Sequence, residues 1–203
     1  ADSILSNETD TNLGGRDAVV AILFTDLRDF TPYSEKCVPQ ELLGILNEYF
    51  TMVVGLVHAH NGIVNKFIGD AAMAVYGLDK CKNPCEAALL TGLEILAGLE
   101  ELNVKLQARG LTPLRNGIGI HYGNVVAGNI GSEERLEYTV IGDAVNTAAR
   151  LERATKELPS QIAISKEGYD LLGEGPCEKL IPLGEVEMNG KSEPHPVYGL
   201  ESE

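Results

Sequence analysis

The chain has 203 residues, of which 44% are hydrophobic and 23% charged, and a formal net charge of −14. That length suits one domain with a substantial core. The acidity, with no Lys/Arg-rich block, argues against nucleic acid or anionic membrane surfaces as partners. An anionic substrate would therefore need its cations gathered locally or supplied as metal ions.

Cys37, Cys81, Cys85 and Cys177 are scattered, and Cys81-x-x-x-Cys85 has no second pair at zinc-like spacing, so reduced thiols are expected. The chain does not open on an apolar leader. Its apolar runs are interrupted by His58, His60 and Asn61 or by glycines, so direct membrane insertion is not expected and the cytoplasm is the expected address. The sequon Asn7-Glu8-Thr9 would then be incidental. The polar opening "ADSILSNETDTNLGGR" reads as a tail over residues 1–17, ahead of a domain at 18–203 belonging to something longer.

"AVVAILFT" (18–25), rich in β-branched residues, predicts a buried strand ending at Asp26. Pro39 opens a helix, with Leu42, Leu46, Tyr49, Val53 and Leu56 at helical spacing up to Gly62. Two strands, 63–68 and 71–76, meet so tightly at Gly69-Asp70 that they form a hairpin. Pro84 opens a second long helix ending at Gly110. "LRNGIGIHYGNVVAGNIG" suggests a strand, a turn and another strand. "YTVIGDAVNTAARLERATKE" runs from a strand into a third helix stopped by Pro159. "QIAIS" is a strand, "KEGYDLLGE" a short helix, and the tail a final hairpin. This order predicts an α+β fold, a largely antiparallel sheet with helices on one face.

Ile-Gly-Asp-Ala occurs twice, at 68–71 and 141–144. Asp70 in the first copy and Asp26 each sit beside an apolar strand, where a carboxylate is costly unless paired or bound to metal. Taken singly, Asp26 could cap a turn, and Asp70 could simply occupy one or pair with Lys66. Taken together, the two acids can converge at one sheet edge, a donor set suited to a hard cation such as Mg2+. Asp29 is expected to cap the segment that follows it. Asp143, in the second copy, reads as the N-cap of the third helix. Within that helix Asn146 and Arg150 share a face; this is either a solvated surface or, at the positive end of the dipole, a place to meet an anion. "GEVEMNGKS" (184–192) and "GNVVAGN" (123–129) imitate P-loops, but the first has one residue too many and the second lacks the lysine. Lys191 could still meet a phosphate as a point charge.

"FTDLRDFT", "NKFIGDAAMAVYG", "GIGIHYGNVVAGNIG" and "EYTVIGDAVNTAARLE", in order over residues 18–200, resemble the class III nucleotidyl cyclase catalytic domain, and more narrowly the bicarbonate-responsive cyanobacterial adenylyl cyclases. The resemblance implies a ferredoxin-like βαββαβ sheet and a head-to-tail homodimer with two active sites at its interface. It further implies an adenylyl cyclase that converts ATP to 3′,5′-cyclic AMP and pyrophosphate with Mg2+, two per site, or Mn2+ in its stead. By motif position Asp26 and Asp70, with the Leu27 carbonyl, would hold the metals. Lys66 and Thr139 of the other copy would read the adenine, Asn146 would orient the ribose, Arg150 would stabilise the transition state, and Lys191 would hold the terminal phosphates. Thr139 stands where many members have aspartate, and Asn124 where some have a phosphate-binding arginine. Because a hydroxyl can donate or accept, ATP selectivity is expected to rest mainly on Lys66. A guanylyl cyclase and a non-catalytic regulatory module are the alternatives.

Overall fold

The computed structural model describes residues 15–35, 37–79, 81–132, 135–187 and 194–201. The elements run β1 (Arg16–Arg28), α1 (Phe30–Ser34), α2 (Pro39–Ala59), β2 (Ile63–Ile68), β3 (Ala71–Tyr76), α3 (Pro84–Ala108) and β4 (Arg115–Ser132). They continue with β5 (Arg135–Ile141), α4 (Asp143–Ala154), β6 (Ile162–Ser165), α5 (Lys166–Tyr169), α6 (Glu174–Cys177), β7 (Leu180–Val186) and β8 (His195–Leu200). One eight-stranded sheet is ordered β2-β3-β1-β4-β6-β8-β7, with β5 paired to β4 off that path. The first four strands have the expected ferredoxin-like arrangement, and among the described residues only β4–β6 is a parallel pair.

β1 is central and alternates strictly. Ala21 and Leu23 join Ile118 and Ile120 of β4 in a core covered by α2 and α3. Val20 and Ile22 turn the other way, into a second core with Ala144 and Ala148 of α4. The two long helices thus share one face, as expected, while α4 takes the opposite one. α2 buries Ile45, Tyr49, Val53 and Val57, an i+4 ladder displaced from the predicted stripe except at Tyr49 and Val53. By length and composition alone α2 could also cross a membrane, which the sequence reading did not anticipate; here that ladder packs into the core.

Three expectations need correction. β1 runs past Asp26 to Arg28, so this acid lies within a strand rather than at its edge, paired on both sides with Ala71 and Gly117. The glycine-rich segment is one continuous strand of 18 residues, not two strands and a turn. Its glycines serve packing: a Cβ on Gly119 would overlap the backbone of Glu152 and the carbonyl of Ala148, so α4 rests directly on the β4 main chain. Asp143 is the first residue of α4 rather than its N-cap; that position belongs to Gly142, at φ 150°. What the two Ile-Gly-Asp-Ala copies share is a glycine at positive φ, +64° at Gly69 and +150° at Gly142. Asp29, expected as a cap, sits at φ 56° and pairs its carboxylate with Arg115 at 2.5 Å. The four cysteines are free thiols.

Gly119→Ala forces α4 off the sheet and should cost about 1–3 kcal/mol of stability. Denaturant melts showing no loss would contradict this direct helix-on-strand contact.

Candidate active site

Asp26 of β1 and Asp70 of the β2–β3 turn come together because the ladder ends there. Asp26 pairs in register with Ala71, and Gly69 at φ +64° folds the chain back with Asp70 beside it. The Asp26 carboxyl is held above its ordinary value, first by burial and then by the charge of Asp70 and a hydrogen bond to it; Lys156 and Arg153 offset part of this. Beneath them lies a fully buried polar triangle. Asn116 donates to the Thr25 hydroxyl and to the Tyr49 hydroxyl, each at 2.7 Å, and these two oxygens are 2.8 Å apart. It ties β1, β4 and α2 together one residue from Asp26.

The acids open into a cavity of about 620 Å3 between β1, β2, β3, β5 and α4, which Lys66, Thr139 and Asn146 also line. Five of the expected site residues therefore share one cavity. Arg150 does not line it, and Leu27 is buried in the core, leaving only its backbone available. Lys191 lies outside the described residues. A second groove of about 750 Å3, between α2 and α3, is lined by Glu48, Glu94 and Glu101 together with Lys105.

Lys66 does not pair across the turn with Asp70. Its ammonium meets Glu137 of β5 at 3.1 Å, and the Thr139 hydroxyl donates to Asn65 Oδ1 at 2.8 Å. Asn65, Glu137, Glu152 and Arg153 escaped the sequence reading. Glu152 was the findable one: on α4 the buried residues Ala144, Thr147, Ala148 and Leu151 form a stripe, and Glu152 is a charge placed on it. It lines the cavity floor, and burial, then Asp26, push its carboxyl up to about 7, with Lys156, Arg28 and Arg153 offsetting in part. Arg28 reaches over the same spot to donate to the Thr155 carbonyl at 2.7 Å.

The donor set fits a hard divalent cation. The charge of Asp70 adds to the cost of ionising Asp26, which a cation would relieve, and carboxylate oxygens are the ligands Mg2+ prefers. Among the described residues no cluster of three or more His, Cys, Asp or Glu side chains is set to chelate a metal. Substrate oxygens and water would have to complete the shell.

A sequence model of the adenylate and guanylate cyclase catalytic domain matches residues 15–201. The chain belongs to that family. This cyclase domain is 34% identical over 195 residues to adenylate cyclase 1 of Rhizobium meliloti, covering 92% of this chain and 28% of that protein. It is 39% identical over 184 residues to an uncharacterized protein of Mycobacterium tuberculosis, covering 90% and 31%. The domain thus spans under a third of these relatives' lengths. Its fold is similar to that of the guanylyl cyclase Cya2 (TM-score 0.83, 32% identity, 94% and 95% of the two chains). It is equally similar to the adenylyl cyclase CyaB from P. aeruginosa (TM-score 0.85, 29%, 94% and 97%). Likeness alone favours neither purine.

Glu152 carries a pH prediction. Its folded value of about 7 lies above the ordinary 4.5, so the unfolded chain releases this proton first as pH rises. The Glu152 contribution to stability is fully present below the ordinary value and is lost as pH climbs to about 7. In chelator-treated protein, denaturant melts across that window should fall with pH, and Glu152→Gln should flatten the slope. Identical slopes in both proteins would contradict the raised carboxyl.

Proposed function

We propose that this domain is an adenylyl cyclase, converting ATP to 3′,5′-cyclic AMP and pyrophosphate at sites shared between two copies of the chain, with residues 18–203 as the catalytic domain. The observation that carries the reading is that one chain presents both half-sites about one cavity, Asp26 and Asp70 for the metals and Lys66, Thr139 and Asn146 for the nucleoside, so that two copies can offer the acids of one to the base-reading groups of the other. Arg150, on the same helix as Asn146 but outside this cavity, supports a site completed by a second copy. So does the exposed apolar surface beside it: Phe67 and Ile68 of β2, with Ile130, Leu136, Tyr138 and Ile141 on the β4–β5 arm, are each more than 40% exposed.

In the reaction the ribose 3′-oxygen bonds to the α-phosphorus in line, its proton leaves, and the bond to the bridging oxygen of pyrophosphate breaks. Asp26 and Asp70, with the Leu27 carbonyl, would hold two Mg2+ ions, or Mn2+ in their stead. When bound, these supply Lewis-acid stabilisation of the phosphate oxygens and a more acidic 3′-hydroxyl. Lys66 of the second copy donates to adenine N1 and its Thr139 faces N6, which fixes the base. Asn146 orients the ribose so that its 3′-oxygen lies behind the α-phosphorus. Arg150 meets charge growing on the α-phosphoryl oxygens, which a fixed guanidinium stabilises more in the transition state than in the ground state. Lys191 takes the terminal phosphates, with Asn124 neutral where an arginine could have helped.

The free cysteines and acidic surface support a cytoplasmic setting, and no nucleic acid is expected as a partner. A bicarbonate response rests on the Thr139 resemblance alone. The likeness to Cya2 keeps guanylyl cyclase as the second reading.

Purified protein with Mg2+ and ATP should form cyclic AMP, with activity per chain falling on dilution as the dimer dissociates. Asp70→Ala should lower turnover at least a hundredfold while sedimentation still reports a dimer. No product from ATP or GTP would overturn the enzyme reading and leave the regulatory module. A wild-type preference for GTP would instead overturn the choice of base, whereas on the adenine reading Lys66→Glu should shift the preference from ATP toward GTP.

A further inference from the structure

Thr139 is 5% exposed, yet it lines the cavity that Lys66 also lines. A hydroxyl has one proton and two lone pairs, so what it offers a base depends on where that proton goes. The structure accounts for the proton. The β2–β3 register shifts between Val64 and Lys66, leaving Asn65 as the bulged residue, and the bulge sends its side chain across to β5. There its amide nitrogen donates to the Tyr138 carbonyl at 3.4 Å, and its Oδ1 accepts from the Thr139 hydroxyl at 2.8 Å. The order of dependence matters. A backbone carbonyl can only accept, so Tyr138 dictates which way the Asn65 amide faces. The amide oxygen then lies toward Thr139 and takes its proton.

We propose that Asn65 sets the hydrogen-bond polarity of Thr139, so that its hydroxyl presents only lone pairs to the purine and selects a 6-amino over a 6-oxo base. This rests on the cyclase reading, in which Lys66 and Thr139 contact the base. Lys66 can only donate, and Glu137 holds its ammonium at 3.1 Å. An acceptor at Thr139 beside a donor at Lys66 matches the N6 donor and N1 acceptor of adenine. Guanine meets two mismatches: its N1–H faces the lysine donor, and its O6 faces the lone pairs of Thr139. Selectivity is therefore shared between Lys66 and Thr139, with Asn65 as a positioning residue that touches no substrate.

The test is the ratio of kcat/KM for ATP to that for GTP. Asn65→Ala frees the Thr139 proton to turn toward O6, and the ratio should fall about tenfold, the worth of one hydrogen bond. Asn65→Asp can still only accept from Thr139, so the ratio should stay within about twofold of wild type. Both variants lose the bond to Tyr138, so a similar drop in melting temperature separates strand tethering from selectivity. In a Thr139→Val background, Asn65→Ala should leave the ratio unmoved. An Asn65→Ala protein with lowered melting temperature and unchanged selectivity would overturn the proposal, as would equal loss of selectivity in Asn65→Asp. Dissociation constants of non-cyclisable ATP and GTP analogues give the same ratio without turnover. An inactive wild type would thus remove the enzyme reading while the polarity of Thr139 is still decided.

Discussion

Two like charges are held side by side at the end of the β1–β3 ladder, and most of what surrounds the cavity answers to that arrangement. The register that pairs Asp26 with Ala71 and the reversal at Gly69 bring the two carboxyl groups together. Burial makes the charge of Asp26 costlier still. The strand tip is kept in place by the Asn116–Thr25–Tyr49 triangle, whose members come from three elements and are fully buried. Arg153 and Lys156, near the C-terminal end of α4, lower the cost of the charge without cancelling it. The site is thus strained toward accepting a cation, within a chain whose net charge of −14 offers few of its own.

Across the cavity the chemistry is of another kind. Lys66 and Thr139 are each already engaged, one with Glu137 and the other with Asn65, and those engagements orient what remains free. A β-bulge and the Tyr138 carbonyl, neither of them in the cavity wall, flank the Asn65 amide that accepts from the Thr139 hydroxyl. Hydrogen-bond direction is inherited inward from the main chain.

The sequence announced the hairpin strands Ile63–Ile68 and Ala71–Tyr76, since apolar runs on either side of Gly-Asp leave little freedom in register. It also announced the proline starts of both long helices. It misled at Gly117, Gly119 and Gly123, because a glycine demanded by a helix lying on a strand and a glycine demanded by a turn look alike until the partner is known. Asp26, Asp70, Lys66, Thr139 and Asn146 were legible as a motif, and they do share one cavity. Asn65 and Glu137 were not. Their importance comes from a register shift and a cross-strand neighbour, which no local pattern encodes. Glu152 could have been found as the odd charge on an otherwise apolar helical stripe.

The bond from Arg28 to the Thr155 carbonyl joins the end of α4 to β1 two residues past Asp26. With Gly119 allowing no clearance beneath the helix, α4 has no slack in which to absorb a push. A displacement of the helix that carries Asn146 and Arg150 must therefore either break the Arg28 bond or shift the strand end next to Asp26.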